Sequence, residues 1–556
     1  MNSLNLIEQI NKVLFDTISK ETKFILEYKI DLSTIVIKTE KSRDQKFGDY
    51  STNAIMLLGF DQQKTMDFAN IIAHKLLLKF FYKVEVVAPG FINMWVNNYE
   101  NFNVINAIEN QKEKFGCLPK TKLLYNIEFV SANPTGLLHI GHARNAAIGN
   151  TLVNIWKTCG INVNTEYYIN DAGNQIDLLG YSTCVRYLQA CGKQIELLPE
   201  AYHGQEVIDI GKQLFKEVNN KYLNVKLIEN RIEDKEISAF FSNYAKKYLL
   251  EIIKQTLKAF GVTFDIWSSE QTIKDSGLIE KTLNALKEYT FEKEGALFLK
   301  TTQFGDDKDR VLIKSNKTNT YFLPDIAYHV LKLSRGYNKI FNIWGADHKA
   351  YSQDIKIAME MLGFKAEKIE ILIMQMVRLV KNKQEFKMSK RSGVSLTVQD
   401  LLDTIGKDAA RWYMVAQAMT SHIEIDVDKA TKKSNDNPLY YVQYAYARIN
   451  QMCAKASYEL PKNFYLLTND YERDLIGWLN IYQPTLIAIS KSCEVHKLCG
   501  YLLNLARSFH AFYTNNIIID KNNEPLSSQR YYLAKAVKQV IANGLKLIGV
   551  SAWEKM

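Results

Sequence analysis

The stretch Ser131-Ala-Asn-Pro-Thr-Gly-Leu-Leu-His-Ile-Gly-His142 constrains this chain more than any other, because two periodicities meet across it. Before it, Tyr125-Asn-Ile-Glu-Phe-Val130 is rich in β-formers and bounded by turn residues, the pattern of a strand. From Ile140 onward the apolar residues Ala143, Ala147, Ile148 and Leu152 recur at helical spacing. Asn133-Pro-Thr-Gly136 makes the turn between them. Gly160 closes the helix and Ile161-Asn-Val-Asn-Thr-Glu-Tyr-Tyr168 reads as a second strand. The result is one βαβ unit, which points to a parallel sheet covered by helices.

His139 and His142 therefore fall at the N-terminal end of that helix. Free backbone N–H groups and the positive end of the helix dipole suit an anion there, and an imidazole that is protonated or donates a hydrogen bond adds to the attraction. Phosphate is the natural guest. Two other readings stay open on these residues alone. One is a metal held by the paired histidines, although no Glu follows in an H-E-x-x-H pattern and no cysteine is near. The other is an exposed helix start whose histidines are incidental.

At 556 residues the chain has room for roughly three to four domains. Residues 1 to about 115 open with helical spacing (Leu4, Ile7, Ile10, Val13, Leu14), pass the polar turn Lys46-Phe-Gly-Asp49, and reach a strand-like Val84-Glu-Val-Val87 before Pro89-Gly90, an α+β module. From 116 to about 415 strand and helix patterns alternate, including Lys339-Ile-Phe-Asn-Ile-Trp344 and Glu370-Ile-Leu-Ile-Met374, as in an α/β doubly wound sheet. A polar helical tract over about 185–260 reads as an insertion. From 416 to 556, and clearly after Ser434-Asn-Asp-Asn-Pro438, the pattern is all-α, with Asn or Asp able to cap and Pro438 suited to the first turn.

The net charge of +10 favours an anionic partner only weakly, since Lys-rich compositions are often basic without functional cause. Seven cysteines, at 117, 159, 184, 191, 453, 493 and 499, form no C-x-x-C pair, so neither a zinc site nor a disulfide framework is indicated. With no signal-peptide pattern and no apolar run of 18 residues, a cytoplasmic protein with no membrane partner is expected.

A second stretch, Val377-Arg-Leu-Val-Lys-Asn-Lys-Gln-Glu-Phe-Lys-Met-Ser-Lys390, reads as a β hairpin around Lys381-Asn-Lys383 leading into Lys387-Met-Ser-Lys390. Two lysines framing a small loop supply mobile point charges that can follow phosphate oxygens. A solvated basic turn is the plain alternative.

HIGH followed by a distant KMSK resembles the signature of class I aminoacyl-tRNA synthetases. More narrowly, the chain resembles arginyl-tRNA synthetases of bacterial type. The resemblance rests on Ile127 to Gly136 with HIGH, Gly305-Asp-Asp-Lys-Asp-Arg310, Tyr321-Phe-Leu-Pro-Asp-Ile-Ala-Tyr-His329, Trp344-Gly-Ala-Asp-His348, Gln375-Met-Val-Arg-Leu-Val380 and Asn435-Asp-Asn-Pro-Leu-Tyr-Tyr-Val-Gln-Tyr444, in the family's order. Phe47-Gly-Asp-Tyr-Ser-Thr-Asn53 and Ala88-Pro-Gly-Phe-Ile-Asn93 resemble its extra N-terminal tRNA-binding domain, and the helical C-terminal region its anticodon-binding bundle. Leu137 departs from the family, which often has proline there.

The resemblance implies a Rossmann-like catalytic domain of HIGH type that joins arginine to ATP as arginyl-adenylate, with Mg²⁺ accompanying the nucleotide and no zinc. The arginyl group then passes to the terminal ribose of tRNA(Arg). It further implies that activation waits for tRNA, and a monomer is expected. His139, Gly141 and His142 with Lys387, Met388, Ser389 and Lys390 would hold ATP, His139, His142, Lys387 and Lys390 acting in catalysis. A guanidinium is a planar fork of donors and is matched best by a carboxylate, and Asp325 is the first choice. By resemblance Tyr321 lies beside it, Glu128, Asn133 and His139 line the amino-acid pocket, Asp347 or His348 lies near the α-amino end, and Glu270 is a second guanidinium contact. Plainer roles compete: Asp325 as a cap of a helix starting near Ile326, Tyr321 as core, Asn133 as a turn residue, and Tyr440, Tyr441, Tyr444 and Tyr446 as core rather than nucleic-acid contacts. Two rival functions are an RNA-independent nucleotidyltransferase of the HIGH superfamily and a catalytically silent synthetase-like RNA-binding protein.

Overall fold

A computed structural model describes residues 5–76, 80–382, 384–385 and 396–556. The chain divides into two compact units, residues 119–431 and residues 1–118 with 432–556.

In the first unit, β1 (Leu124–Glu128), β2 (Asn162–Ile169), β3 (Ile266–Ser269), β4 (Lys339–Gly345) and β5 (Ile369–Met374) form one sheet in the order β5-β4-β1-β2-β3. Every pairing in it is parallel. The chain winds outward from β1 in one direction and then from β4 in the other, so the order reverses between them. In such sheets ligands bind at the carboxyl ends of the strands beside that reversal. Between β1 and β2 runs α1 (Ile140–Thr158), whose Ala143, Ala146, Ala147, Ile148, Leu152, Ile155 and Trp156 are buried. Its contact with the sheet is close: a Cβ on Gly149 would lie 2.5 Å from the Phe129 ring. Gly160, at φ +79°, ends the turn back to β2.

Helices Asn174–Ala190, Gln205–Val218 and Lys235–Ala259 pack together between β2 and β3 over Leu179, Val207, Ile210, Ala245 and Leu249. On the opposite side of the chain order, α2 (Phe322–Ser334) and α3 (Tyr351–Met361) enclose a core that includes Leu323, Ile326, Ala327, Ile340, Ile355 and Ala358. A second sheet follows. β6 (Val377–Lys381) pairs antiparallel with β7 (Gln384–Glu385), the hairpin read from the sequence, and parallel with β8 (Ile423–Asp426). Between β7 and β8 comes α4 (Val398–Val415), which packs on α1.

The other unit joins the two ends of the chain. Strands Thr39–Lys41, Tyr50–Thr52, Phe91–Val96 and Phe81–Val87 form an antiparallel sheet in that spatial order, backed by helices Leu6–Ser19 and Gln62–Leu76. Gly48, at φ +89°, stands where a Cβ would sit 2.7 Å from the Met94 carbonyl oxygen, which accounts for the glycine in the turn before Asp49. The helices Pro438–Cys453, Asp470–Asn480, Tyr482–Ser492, His496–Asn515 and Glu524–Ile548 form a bundle, the first capped by Asn437 with Pro438 in its opening turn. A buried ion pair ties sheet to bundle: Arg473 Nη2 donates to Asp49 Oδ2 at 2.5 Å, and Asp49 Oδ2 also accepts from Val96 N–H at 2.9 Å.

Tyr440, Tyr441, Tyr444 and Tyr446 are half-buried, not core. Tyr440 and Tyr444 stack with ring centroids 5.9 Å apart, and the Arg448 guanidinium lies 4.2 Å from the Tyr513 ring.

Candidate active site

His139 is the N-cap of α1 and His142 its third residue. Their side chains close a reciprocal box. His139 Nδ1 accepts from Gly141 N–H at 3.1 Å, and His142 Nδ1 accepts from His139 N–H at 3.2 Å. The rings stack with centroids 3.7 Å apart. A Cβ on Gly141 would come within 2.9 Å of His139 Cε1, so the glycine between the histidines lets the first ring fold back.

This arrangement corrects the expectation of free N–H groups at the helix start. Ile140 N–H donates to the Leu396 carbonyl at 3.0 Å, Gly141 N–H to His139, and His142 N–H to the His139 carbonyl at 2.9 Å. The choice between protonated and donating imidazoles is also decided. Burial, with His139 adjacent, pushes His142 down to about 3, and burial lowers His139 too. Both are neutral at pH 7. A neutral imidazole whose Nδ1 accepts carries its proton on Nε2, so each ring presents one N–H donor.

Lys387, Met388, Ser389 and Lys390 lie outside the described residues. The described chain on both sides of 386–395 is fastened to the HIGH segment. Val398 N–H donates to the Leu138 carbonyl at 2.7 Å, opposite the Ile140–Leu396 bond. Ahead of the hairpin, the buried Arg144 guanidinium donates to the carbonyls of Gln375 (2.6 Å), Ser421 (2.8 Å) and Ala418 (2.9 Å). One arginine of α1 thus sets where β6 and β8 begin.

Carboxylates gather at the strand ends. Glu128 closes β1, Asp171 follows β2, Glu270 follows β3, and Asp325 lies in the first turn of α2. Burial above all, and then all four carboxylates, hold the phenol of Tyr168, near the end of β2, above the ordinary range. Three have a lysine partner: Glu128 with Lys332 at 2.7 Å, Asp171 with Lys246 at 3.3 Å, and Glu270 with Lys274 at 2.7 Å. Asp325 has none among the described residues. Its Oδ2 accepts from the Tyr351 hydroxyl at 2.6 Å. Burial, with Glu128 and Glu270 nearby, pushes its carboxyl up to about 7 against the pull of Tyr351 and Lys332.

Asp325 is not a helix cap, because α2 begins at Phe322 with Tyr321 as N-cap and no side-chain capping bond. Tyr321 is not core either: the residue is 78% exposed, and the hydroxyl on Asp325 belongs to Tyr351. Asn133 Nδ2 donates to Gln175 Oε1 at 2.8 Å. Asp347 and His348 are exposed in the turn after β4, His348 Nε2 lying 3.3 Å from Asp347 Oδ2.

Sequence reasoning passed over the layer beneath. Lys332, fully buried two turns after Asp325, donates to Glu128 Oε2 and, at 2.5 Å, to Asn342 Oδ1. Asn342 Nδ2 donates to His329 Nε2 at 3.0 Å, so the proton of His329 is on Nδ1, which donates to the Asp325 carbonyl at 2.7 Å. Ser131 Oγ donates to Glu128 Oε1 at 2.9 Å. The one signal in the sequence was a lysine on the apolar side of a helix, easily read as a snorkelling side chain.

A parallel sheet whose order reverses beside a helix opening on HIGH, with a basic hairpin segment fastened to that helix, defines the class I aminoacyl-tRNA synthetases. Residues 104–445 match the family model of the class I (R) tRNA synthetase catalytic domain, residues 5–96 that of the arginyl tRNA synthetase N-terminal domain, and residues 442–556 that of the DALR anticodon binding domain. An arginine--tRNA ligase of Malacoplasma penetrans is 44% identical, covering 99% of each chain, and one of Bacillus subtilis is 39% identical over 100% of both. The fold matches that of Thermus thermophilus arginyl-tRNA synthetase with a TM-score of 0.77 at 19% identity, over 99% of this chain and 100% of that one. The chain belongs to the arginyl-tRNA synthetase family.

Proposed function

We propose that this chain charges tRNA(Arg): it activates L-arginine with ATP to arginyl-adenylate, releases pyrophosphate, and transfers the arginyl group to the terminal ribose of the tRNA. The observation that carries the amino-acid choice is the lone Asp325 carboxylate. Glu128, Asp171 and Glu270 are each matched by a lysine of the chain, so the site lacks one cation, and a bidentate guanidinium supplies it. Glu128, Asn133 and Tyr321 belong to the same pocket, with Glu270 as a further contact and Asp347 or His348 toward the α-amino end.

His139 and His142 give the nucleotide two neutral N–H donors. Lys387 and Lys390 add positive charge where negative charge builds on the departing pyrophosphate. No protein nucleophile is required: the arginine carboxylate attacks the α-phosphorus in line, and a ribose hydroxyl, the 2′ by class I resemblance, then attacks the adenylate. Among the described residues no group of three His, Cys, Asp or Glu side chains is arranged for a metal, and magnesium enters with the ATP phosphates. The Asp49–Arg473 unit carries the tRNA-binding N-terminal module (1–115) and, from residue 432 onward, the anticodon-binding bundle, where the half-buried tyrosines around Arg448 offer stacking faces. The enzyme works as a cytoplasmic monomer. No helix among the described residues is long and apolar enough to cross a membrane.

The test is ATP–pyrophosphate exchange with each amino acid, with and without tRNA. Exchange confined to arginine and dependent on tRNA is expected. Exchange that needs no RNA for any substrate would favour a nucleotidyltransferase, and none at all a silent RNA-binding relative.

A further inference from the structure

Tyr351 opens α3, directly after the turn that follows β4. Its ring is held on two sides, stacked on Trp344 at 5.7 Å and 28° and meeting the edge of Phe322 at 5.7 Å and 64°. Three residues on, Asp354 lies 3.1 Å from the Arg310 guanidinium, which is itself gripped by Asp306. The hydroxyl is therefore delivered from a rigid frame. It donates to Asp325 Oδ2 at 2.6 Å, and among the described residues no donor occupies Oδ1.

A guanidinium binds a carboxylate best when both oxygens accept in its own plane. An aspartate side chain can turn about its terminal torsion unless something holds it. We propose that Tyr351 is a positioning residue for arginine selection, its hydroxyl fixing the plane of the Asp325 carboxylate so that Oδ1 and the remaining face of Oδ2 meet the guanidinium as a fork. The proposal rests on the reading that Asp325 receives the guanidinium. It goes further, because Tyr351 touches no substrate and acts through its neighbour.

The same bond governs ionisation. Asp325 is faced by Glu128 at the end of β1, Tyr168 of β2, Glu270 after β3, Lys332 and His329 of its own helix, and Tyr351 of α3. Burial raises its carboxyl first, and the Tyr351 hydroxyl is the strongest of the groups that lower it. Without that hydroxyl the carboxyl climbs further and, at pH 7, spends more time protonated, with only one oxygen left to accept freely.

The test is Tyr351→Phe in the full-length chain, which keeps the ring and its stack. At pH 7 the arginine KM in tRNA-dependent exchange should rise roughly tenfold, the scale of one hydrogen bond to a charged group. The ATP KM and melting temperature should stay at the parent values. Raising the pH to about 8.5, which ionises Asp325 in both proteins, should recover the part of the loss that comes from protonation and leave the part that comes from the lost orientation of the carboxylate. A merely packed tyrosine would show no such recovery. An arginine KM within about twofold of the parent at pH 7, or an ATP KM rising in step with it, overturns the role. Asp325→Asn separates the layers. If it raises the arginine KM while Tyr351→Phe does not, only the positioning role fails; if Asp325→Asn leaves that KM unmoved, the guanidinium reading fails and takes this one with it.

Discussion

At the strand ends around Tyr168 four carboxylates converge, whereas at the start of α1 two imidazoles are stripped of charge. On the proposed function both places receive a charged substrate, yet they are prepared differently. The amino-acid side keeps one carboxylate without a cation and lets the substrate complete the balance. The nucleotide side offers neutral donors on a helix end whose own N–H groups are already bonded. A carboxylate that accepts with both oxygens in one plane favours a planar guanidinium over other side chains. For a triphosphate, whose charge shifts during reaction, oriented donors and lysine ammonium groups serve better than a buried cation.

The contrast depends on internal neutralisation, and Lys332→Met attacks it most severely. It leaves Glu128 buried without its cation, and unfolding should become easier by about 3–5 kcal/mol, read from denaturant melts of the full chain. Asp325→Asn removes the waiting charge itself. A loss on the order of 3 kcal/mol in arginine affinity is expected, seen as a rise in arginine KM with little change in ATP KM; equal rises in both would merge the two sites into one.

His142→Asn sharpens the other half. Losing one donor should slow adenylate formation by about 2–3 kcal/mol of transition-state stabilisation, with arginine KM nearly unchanged. Because His142 lies at about 3, no acid limb near the ordinary imidazole range should appear in the parent rate that the substitution then removes.

The smallest effect is the pH dependence of arginine binding. Asp325 titrates near 7 in the free site, and the guanidinium favours its ionised form. Arginine KM should therefore be flat above that value and rise about tenfold per unit below it, while ATP KM stays level. A flat arginine KM from pH 6 to 8 would show that the carboxylate is already ionised before arginine arrives.

Much of this was legible along the chain, and the rest was not for identifiable reasons. The βαβ unit around HIGH, the strands at 339–345 and 369–374, and the Asn437–Pro438 helix start follow from local periodicity and capping chemistry, which short stretches of sequence encode. Asp325 could be put forward for the guanidinium because a guanidinium is matched by a carboxylate and the family-like motif holds one; that it stands without a cation among the described residues could not be read there.

What tertiary structure alone decided is who meets whom. Tyr351 stands 26 residues from Asp325, Lys332 204 residues from Glu128, and Arg144 231 residues from the carbonyl at Gln375. No local pattern records such pairs, since they exist only once parallel strands have brought their carboxyl ends together. The same holds for ionisation: a sequence names His142 and Asp325, but burial and neighbours make one a neutral donor and the other a carboxyl poised near 7.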